Sequence, residues 1–116
     1  MPEHVKIFLK EIKNDVSHFN LYKTEEERIE YATGCLEPLV KHGSASHQLK
    51  LAIIFVLKYL ECCKKKKYCD EKVDAEKIIL YLKKFYRAIQ INQCLEKLIS
   101  TSCVKKESDG SLAIHY

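Results

Sequence analysis

The stretch LKLAIIFVLKYL, Leu49 to Leu60, decides the fold of this chain. Charged residues interrupt it only at Lys50 and Lys58. Because almost no polar face remains, the pattern indicates a helix that other elements cover on nearly every side. Its β-branched residues would also suit a buried strand, but the length and the lysine spacing favour a helix. We therefore predict a central apolar helix over about residues 47–63.

The segment before this helix divides into two further predicted helices. Over residues 3–19 an apolar side chain recurs every three or four positions, which places one stripe on a helix that Asn20 would end. The members of this stripe are Val5, Phe8, Ile12, Val16 and Phe19. A second helix should begin at Thr24, because Thr24 and Glu27 have the spacing of a capping box.

Pro38 limits the second helix. It lacks an amide hydrogen and clashes with the preceding turn, so we expect the helix to end near Leu36 or to kink, with a short turn reaching Val40. The side chains expected to be buried are Ile29, Ala32, Cys35 and Leu36.

Two more helices are predicted after the central one. Asp74 should cap a helix that runs to Ile89, and Asn92 should cap a short fifth helix. The expected inward residues are Ile78, Leu82, Phe85 and Ile89 in the first, and Leu95, Leu98 and Ile99 in the second. In the tail, residues 104–116, Asp109-Gly110 is a turn signal before an alternating segment, which indicates a small β-hairpin or a frayed end.

Composition agrees with this all-α interpretation. The chain has 116 residues, of which 47% are apolar and 31% charged, but only 3 glycines and 2 prolines. So few turn-forming residues argue against a fold of many strands. We predict one domain over residues 1–116, an all-α, compact five-helix bundle around the central apolar helix, with the hairpin as an optional addition.

The lack of a signal peptide favours an intracellular protein. An even count of six cysteines would suit a disulfide framework, but Cys35 and Cys94 lie among apolar residues at helical spacing, where a free cysteine behaves as a small apolar residue. The first residues carry regular charges, and no apolar run is long enough to span a bilayer. We therefore expect free thiols and a cytoplasmic or nuclear location; a secreted, disulfide-linked helical protein is the alternative. Cys62, Cys63 and Cys69 do not have the spacing of paired zinc ligands.

The segment LECCKKKKYCDEK, residues 60–72, joins the central helix to the next one. Lysines at the carboxyl end of a helix complement its exposed carbonyl groups, and acidic residues follow directly. A solvated helix end is therefore the first interpretation, and contact with nucleic acid is the second. The net charge of +4 rests almost wholly on lysine, with Arg28 and Arg87 the two arginines, which is mild evidence against a dedicated reader of nucleic-acid bases.

Motifs of catalysis and cofactor binding are missing from the sequence. It contains no phosphate-binding glycine loop, no nucleophile elbow and no zinc-protease motif. We expect no enzyme activity, no cofactor, no metal and no small-molecule substrate.

The segment AEKIILYLKKFYRAIQINQCLEKLIST, Ala75 to Thr101, resembles the helix–turn–helix pairs of compact bundle families. These are the N-terminal domains of transcription elongation factors and the integrase-binding domain of a chromatin-associated growth factor. With the tail added, the segment resembles the end of a winged-helix domain, which implies that the second helix offers Gln93 and Lys97 as exposed contacts. Residues 34–60 are similar in rhythm to an armadillo or HEAT helix pair. We assign no family on these likenesses.

The favoured function is a non-enzymatic protein-interaction module within a larger assembly. Large apolar residues beside the main stripes would bind a partner helix or a second copy of the chain, and these are Leu9, Leu21, Tyr22, Tyr31, Tyr81 and Tyr86. The alternative is a nucleic-acid-binding domain with a lysine-rich surface. Its contacts would be Lys64, Lys65, Lys66, Lys67, Lys83, Lys84, Lys105 and Lys106.

Overall fold

A long apolar helix, Ala45–Lys65, lies at the centre of the computed structural model, which describes residues 3–15, 19–41, 45–69 and 71–116. The elements in chain order are α1 (Glu3–Asp15), α2 (Glu25–Val40), α3 (Ala45–Lys65), α4 (Ala75–Leu82), α5 (Ala88–Ser100), β1 (Val104–Lys106) and β2 (Leu112–Ile114). Each of the other four helices, and β2, packs on α3. Every residue from 51 to 60 is buried. The predicted bundle around a central apolar helix, with its hairpin, is confirmed.

The first helix is shorter than its apolar stripe predicts. It ends at Asp15, and Phe19 and Asn20 lie outside it, while Val16 is outside the described residues. Phe19 packs edge-on against α3, with its ring centroid 5.4 Å from Phe55 and 5.7 Å from Tyr59. The Tyr59 hydroxyl donates a hydrogen bond of 2.9 Å to the carbonyl oxygen of Asn20. Contacts with α3 therefore hold Phe19 and Asn20 in place. The apolar periodicity predicts Phe19 as part of the helix, because its side chain falls at the expected spacing.

Helix α2 begins at the predicted cap and continues through Pro38. The Thr24 hydroxyl accepts from the Glu27 amide at 3.3 Å and donates to the Glu27 carboxylate at 2.6 Å. The expected end near Leu36 is wrong, because the helix includes Pro38 and runs to Val40 as one element. Leu39 and Val40 pack against the core, and this packing offsets the one helical hydrogen bond that Pro38 cannot donate.

The buried face of α2 differs from the predicted one. Its buried residues are Arg28, Ala32 and Leu36, which are spaced by four, whereas Cys35 is exposed. Cys35 lies about 100° around the helix from Leu36, and this rotation places it in solvent. Sequence periodicity could not predict that Arg28 is buried in place of Cys35, because the partners that satisfy Arg28 include Tyr68 and Tyr81, which are distant in sequence.

The boundary between α4 and α5 was predicted about five residues too late. Helix α4 ends at Leu82, and α5 begins after Arg87, not after Asn92. The amides of Phe85 and Tyr86 both donate to the Leu82 carbonyl oxygen, which closes a turn with neither glycine nor proline. As a result Ile89, expected inside, is 63% exposed at the start of α5.

Two predicted features of this region are present. The Asp74 carboxylate caps α4 by accepting from the Lys77 amide at 3.0 Å. The predicted hairpin also forms, with Lys105 opposite Ala113. Its turn needs a glycine, because Gly110 has φ +88°. The order of two helices and a hairpin, implied by the resemblance to a winged-helix domain, is therefore observed.

A buried polar network joins α2 to α4, to the chain before α2 and to the chain after α3. The Arg28 guanidinium, 3% exposed, donates to the carbonyl oxygens of Tyr22, Lys23 and Tyr68 at 2.9–3.2 Å. It also donates to the Tyr81 hydroxyl at 3.3 Å, and that hydroxyl donates to the Glu25 carboxylate at 3.2 Å. Lys77 joins the network through its ion pairs with Glu25 and Glu71. Tyr81, 1% exposed, is thus a core residue whose polar tip is satisfied.

Removing the Tyr81 hydroxyl tests this network. Tyr81→Phe deletes one acceptor for Arg28 and one donor to Glu25 without changing the packing of the ring, so we expect the free energy of unfolding to fall by about 1–2 kcal/mol. Urea denaturation measures the change. Tyr86→Phe is the matched control, since no hydrogen bond of its hydroxyl is found in the described part of the chain, and it should leave the midpoint in place. Equal effects of the two substitutions would contradict the network.

The Glu25 carboxylate should make stability depend on acid. Burial alone would raise its pKa, but the hydrogen bonds and charges of Lys77, Tyr81 and Arg28 lower the pKa below its ordinary value of 4.5. A carboxylate whose pKa is lowered in the native state stabilises the fold at pH values above its ordinary pKa. This contribution is lost as the pH falls toward the native-state pKa. Below pH 4.5 the wild type should therefore lose unfolding free energy more steeply than Glu25→Gln.

The control for that measurement is Glu26→Gln, which changes an exposed neighbouring carboxylate. It should keep the acid dependence of the wild type. If Glu25→Gln also follows the wild-type curve, the carboxylate is not stabilised by its neighbours.

Candidate functional site

Large apolar side chains that are mostly exposed are few. Among the described residues they are Ile7 at 50%, Ile89 at 63% and Tyr116 at 67% exposure. Ile7 and Tyr116 line the same groove, which lies between α1 and the end of the hairpin. Ile7 and Tyr116 are far apart in the sequence, so they come together only when the chain folds.

We call this groove the α1–hairpin groove. It encloses about 510 Å³ and is lined by Glu3, Lys6, Ile7, Leu9, Lys10, Ser102, His115 and Tyr116. Leu9 is half-buried at its floor, and it is one of the residues predicted to bind a partner. The His115 amide donates to the Cys103 carbonyl oxygen at 3.0 Å, which extends the hairpin pairing to the rim of the groove.

Tyr116 is exposed but not free to move. Its hydroxyl accepts from the Lys58 ammonium at 2.6 Å and donates to the Glu61 carboxylate at 2.8 Å. Lys58 Nζ is 5.0 Å from the ring centroid, so it approaches the ring from the hydroxyl end and not over the face. Two hydrogen bonds to α3 thus fix the ring, and its faces remain available for contact.

The Lys58 ammonium is the buried member of this arrangement, with 7% exposure in the middle of the apolar helix. Burial disfavours its charged form, but the hydrogen bond to Tyr116 and the charge of Glu61 raise the pKa of Lys58 above its ordinary value. Lys58 therefore stays protonated and keeps both bonds in place across the neutral range. Burial and the Glu61 carboxylate also raise the pKa of Tyr116, which keeps its hydroxyl protonated.

A second groove lies on the other side of Tyr116, between α3 and β2, and we call it the strand-edge groove. It encloses about 370 Å³. Helix α3 contributes Leu57, Glu61, Lys64 and Lys65, and the opposite wall contains Val73, Glu107, Ser111, Leu112, Ala113, Ile114 and Tyr116. Tyr116 lines both grooves, so it forms the ridge between them.

The residues predicted to bind a partner do not share one surface. Leu9 lies in the α1–hairpin groove, while Tyr22 and Tyr31 line a separate cavity on α2 and Tyr86 lines a third beside α5. Leu21 is half-buried and packs on the core. Tyr81 belongs to the buried network, so it offers no surface to a partner.

The eight lysines predicted to contact nucleic acid are all exposed. Lys64 and Lys65 line the strand-edge groove together with Glu107 and Ser111, so the end of α3 lies beside the tip of the hairpin that carries Lys105 and Lys106. Lys83 and Lys84 are in the turn after α4, and Lys84 pairs with Glu37 of α2 at 3.9 Å. Neither Lys105 nor Lys106 lines the strand-edge groove, and Lys106 lines a different cavity with Lys72 and Asp74.

The described part of the chain contains free thiols but no cluster of metal ligands. It holds no group of three or more side chains placed to bind a metal ion. All six cysteines are free thiols in this structure. Burial raises the pKa of Cys63 to about 11, so this thiol stays protonated and unreactive. Among the described helices, none is long and apolar enough to cross a membrane.

Comparison with known protein families, with curated proteins and with solved structures finds no match for this chain.

Sequence reasoning missed Ile7, Lys58 and Tyr116 as a set. One signal was available, because a lysine in the middle of an apolar helix requires a buried partner. The identity of that partner was not readable, since Tyr116 is 58 residues away along the chain.

Tyr116→Phe tests whether the hydroxyl fixes the ring. It leaves Lys58 with only Glu61, at 3.6 Å, so we expect the unfolding free energy to fall by about 1–2 kcal/mol. We also expect faster hydrogen exchange at the His115 amide. Tyr68→Phe, which removes a hydroxyl without a hydrogen bond in the described ranges, should change neither quantity. Unchanged exchange in Tyr116→Phe would show that the ring is held by other contacts.

Proposed function

We propose that this chain is a non-enzymatic protein-interaction module that binds a partner protein through the Tyr116 surface. This surface consists of Tyr116 and the two grooves beside it. The observation that carries the proposal is an aromatic ring that is 67% exposed yet fixed by two hydrogen bonds to α3. Rigid aromatic side chains give much contact area at little entropic cost, and interfaces concentrate their binding energy on them.

Ile7 adds apolar area next to this ring. At 50% exposure it faces the same groove as Tyr116, with Leu9 below. An exposed apolar area with a charged rim is typical of a binding surface, and here Lys6 and Lys10 form much of that rim. We keep the predicted interaction function as a proposal, but its proposed location keeps only Leu9 of the six predicted residues and adds Tyr116 and Ile7.

The charge of the surface favours a different, acidic protein over a second copy. A two-fold dimer would place the same patch against itself. The α1–hairpin groove, lined by Lys6 and Lys10 with Glu3 as its one acidic side chain, would then face a patch with the same positive excess. Like charges in contact disfavour such a pair.

Affinity capture with matched variants tests the proposal. Tyr116→Ala and Ile7→Ser remove the exposed apolar area, and each should reduce recovery of the bound protein by about tenfold or more, as expected for a central interface residue. Ile89→Ser is the control, because Ile89 is equally exposed but lies on α5, outside the grooves. The bound protein is then identified and its binding to each purified variant measured by calorimetry.

Two outcomes would contradict the proposal. Either Ile89→Ser loses the bound protein as strongly as the other variants, or no protein is retained by the wild type. Sedimentation of the purified chain separates the remaining alternative, because a dimer that Tyr116→Ala dissociates would identify a second copy as the partner.

Nucleic-acid binding is the second candidate. It is supported by the proximity of Lys64 and Lys65 to the hairpin tip and by the helix–turn–helix order before the hairpin. A mobility shift with short DNA and RNA, repeated at rising salt, tests it. Binding through these lysines should weaken steeply as salt rises, because phosphate contacts release counterions. No shift at low salt would remove this candidate.

A further inference from the structure

The hydrogen bonds of the hairpin show which edge of β2 is open. The His115 amide donates to Cys103, and the Glu107 amide donates to Ser111. In an antiparallel ladder, hydrogen-bonded pairs alternate with non-bonded pairs, so Lys105 and Ala113 form the bonded pair between them. The amides and carbonyls of Leu112 and Ile114 must therefore point to the other edge, away from β1.

One position on that outer edge is already occupied. The Leu112 amide donates to the Val73 carbonyl oxygen at 2.7 Å, so the chain before α4 supplies a single residue of pairing. The next outward groups are the Leu112 carbonyl and the Ile114 amide. Neither has a partner among the described residues. Polar backbone groups at an open strand edge can pair with an added strand.

These unpaired groups border the strand-edge groove. Its walls are β2 on one side and α3 on the other, and the apolar floor includes Leu57 and Val73. A volume of about 370 Å³ gives room for a short extended segment between them. Strand addition uses this combination of edge hydrogen bonds and side-chain pockets.

The charges around the groove indicate whether the bound segment should be acidic or basic. Glu61 is already engaged by Lys58, Lys65 and Tyr116, and Glu107 pairs with Lys105. Lys64 has no carboxylate within 4.0 Å in the described ranges, and the exposed Lys66 and Lys67 follow it. The excess charge is positive, so acidic side chains would be favoured there.

We propose that an extended acidic segment of the partner protein adds to the outer edge of β2 within the strand-edge groove. This inference rests on the proposed function and specifies its mode. The segment would pair with Leu112 and Ile114, place alternate apolar side chains on the groove floor and direct carboxylates to Lys64 and Lys65. The Tyr116 ring would pack against the bound segment at the end of the groove.

A random library of short displayed peptides, selected on the full chain, tests the segment. The selected peptides should alternate apolar and acidic residues with a period of two. Lys64→Glu with Lys65→Glu should weaken the best peptide by about tenfold or more, because two ion pairs become repulsions. The control is Lys83→Glu with Lys84→Glu, an equal charge change outside the groove, which should leave affinity within about twofold.

Backbone pairing needs its own measurement, for which the best selected peptide is the probe. Its binding should slow hydrogen exchange at the Ile114 amide but not at Ala113, whose amide already pairs with Lys105. N-methylation of the alternate peptide residues whose amides face β2 should abolish binding, because those amides would form the hydrogen bonds to the strand. Methylation of the other alternate set should be tolerated, because a strand presents its amides to two opposite edges.

Several results would overturn strand addition. These are no selected peptide, peptides with helical spacing, unchanged exchange at Ile114, or a short DNA duplex that binds Lys64 and Lys65 more tightly than any peptide. The proposed function fails separately: if selected peptides or captured proteins bind Tyr116→Ala as well as the wild type, the Tyr116 surface itself is wrong. Peptides that require Tyr116 but leave Ile114 unprotected would retain the surface and reject only the strand.

Discussion

The fold depends on covering α3 on every side. Its residues 51–60 are all buried, so no single neighbour can shield it and the rest of the chain must surround it. Helices α1, α2, α4 and α5 and strand β2 each take one part of its surface. Burying a large apolar side chain contributes about 1.5–3 kcal/mol, and α3 contributes many of them, so this helix provides much of the driving force for the whole bundle.

The two cationic side chains buried in the described part of the chain, Arg28 and Lys58, are each satisfied by hydrogen bonds that join elements distant in sequence. Around Arg28, three carbonyl oxygens and the Tyr81 hydroxyl fix the chain before α2 and the chain after α3. Around Lys58, the end of the chain is fixed to the centre of α3. The first cluster is enclosed and structural. The second leaves an aromatic ring in solvent, and that difference is why we place the interaction surface there.

The parts of the fold that sequence predicts well are those set by local rules. The apolar run of α3, the caps at Thr24 and Asp74 and the turn at Gly110 all follow from side-chain chemistry within a few residues. The failures have a shared cause. Pro38 stays helical because distant core contacts hold Leu39 and Val40, and the α4–α5 boundary falls in a turn that tertiary packing stabilises without glycine or proline. The candidate site was hardly predictable, since its members meet only after folding.

The bonds among Lys58, Glu61 and Tyr116 also constrain how this sequence can change over time. An ammonium group enclosed in the bundle cannot lose its hydroxyl acceptor without an energetic penalty, and without the ammonium the phenol would keep only one of its two hydrogen bonds, the one to Glu61. Descendants of this chain should therefore alter positions 58 and 116 together, for example by a paired replacement with two apolar residues. Conserved pairing of lysine with tyrosine across divergent copies would indicate selection on the orientation of the ring, because two apolar residues could serve the stability of the core as well.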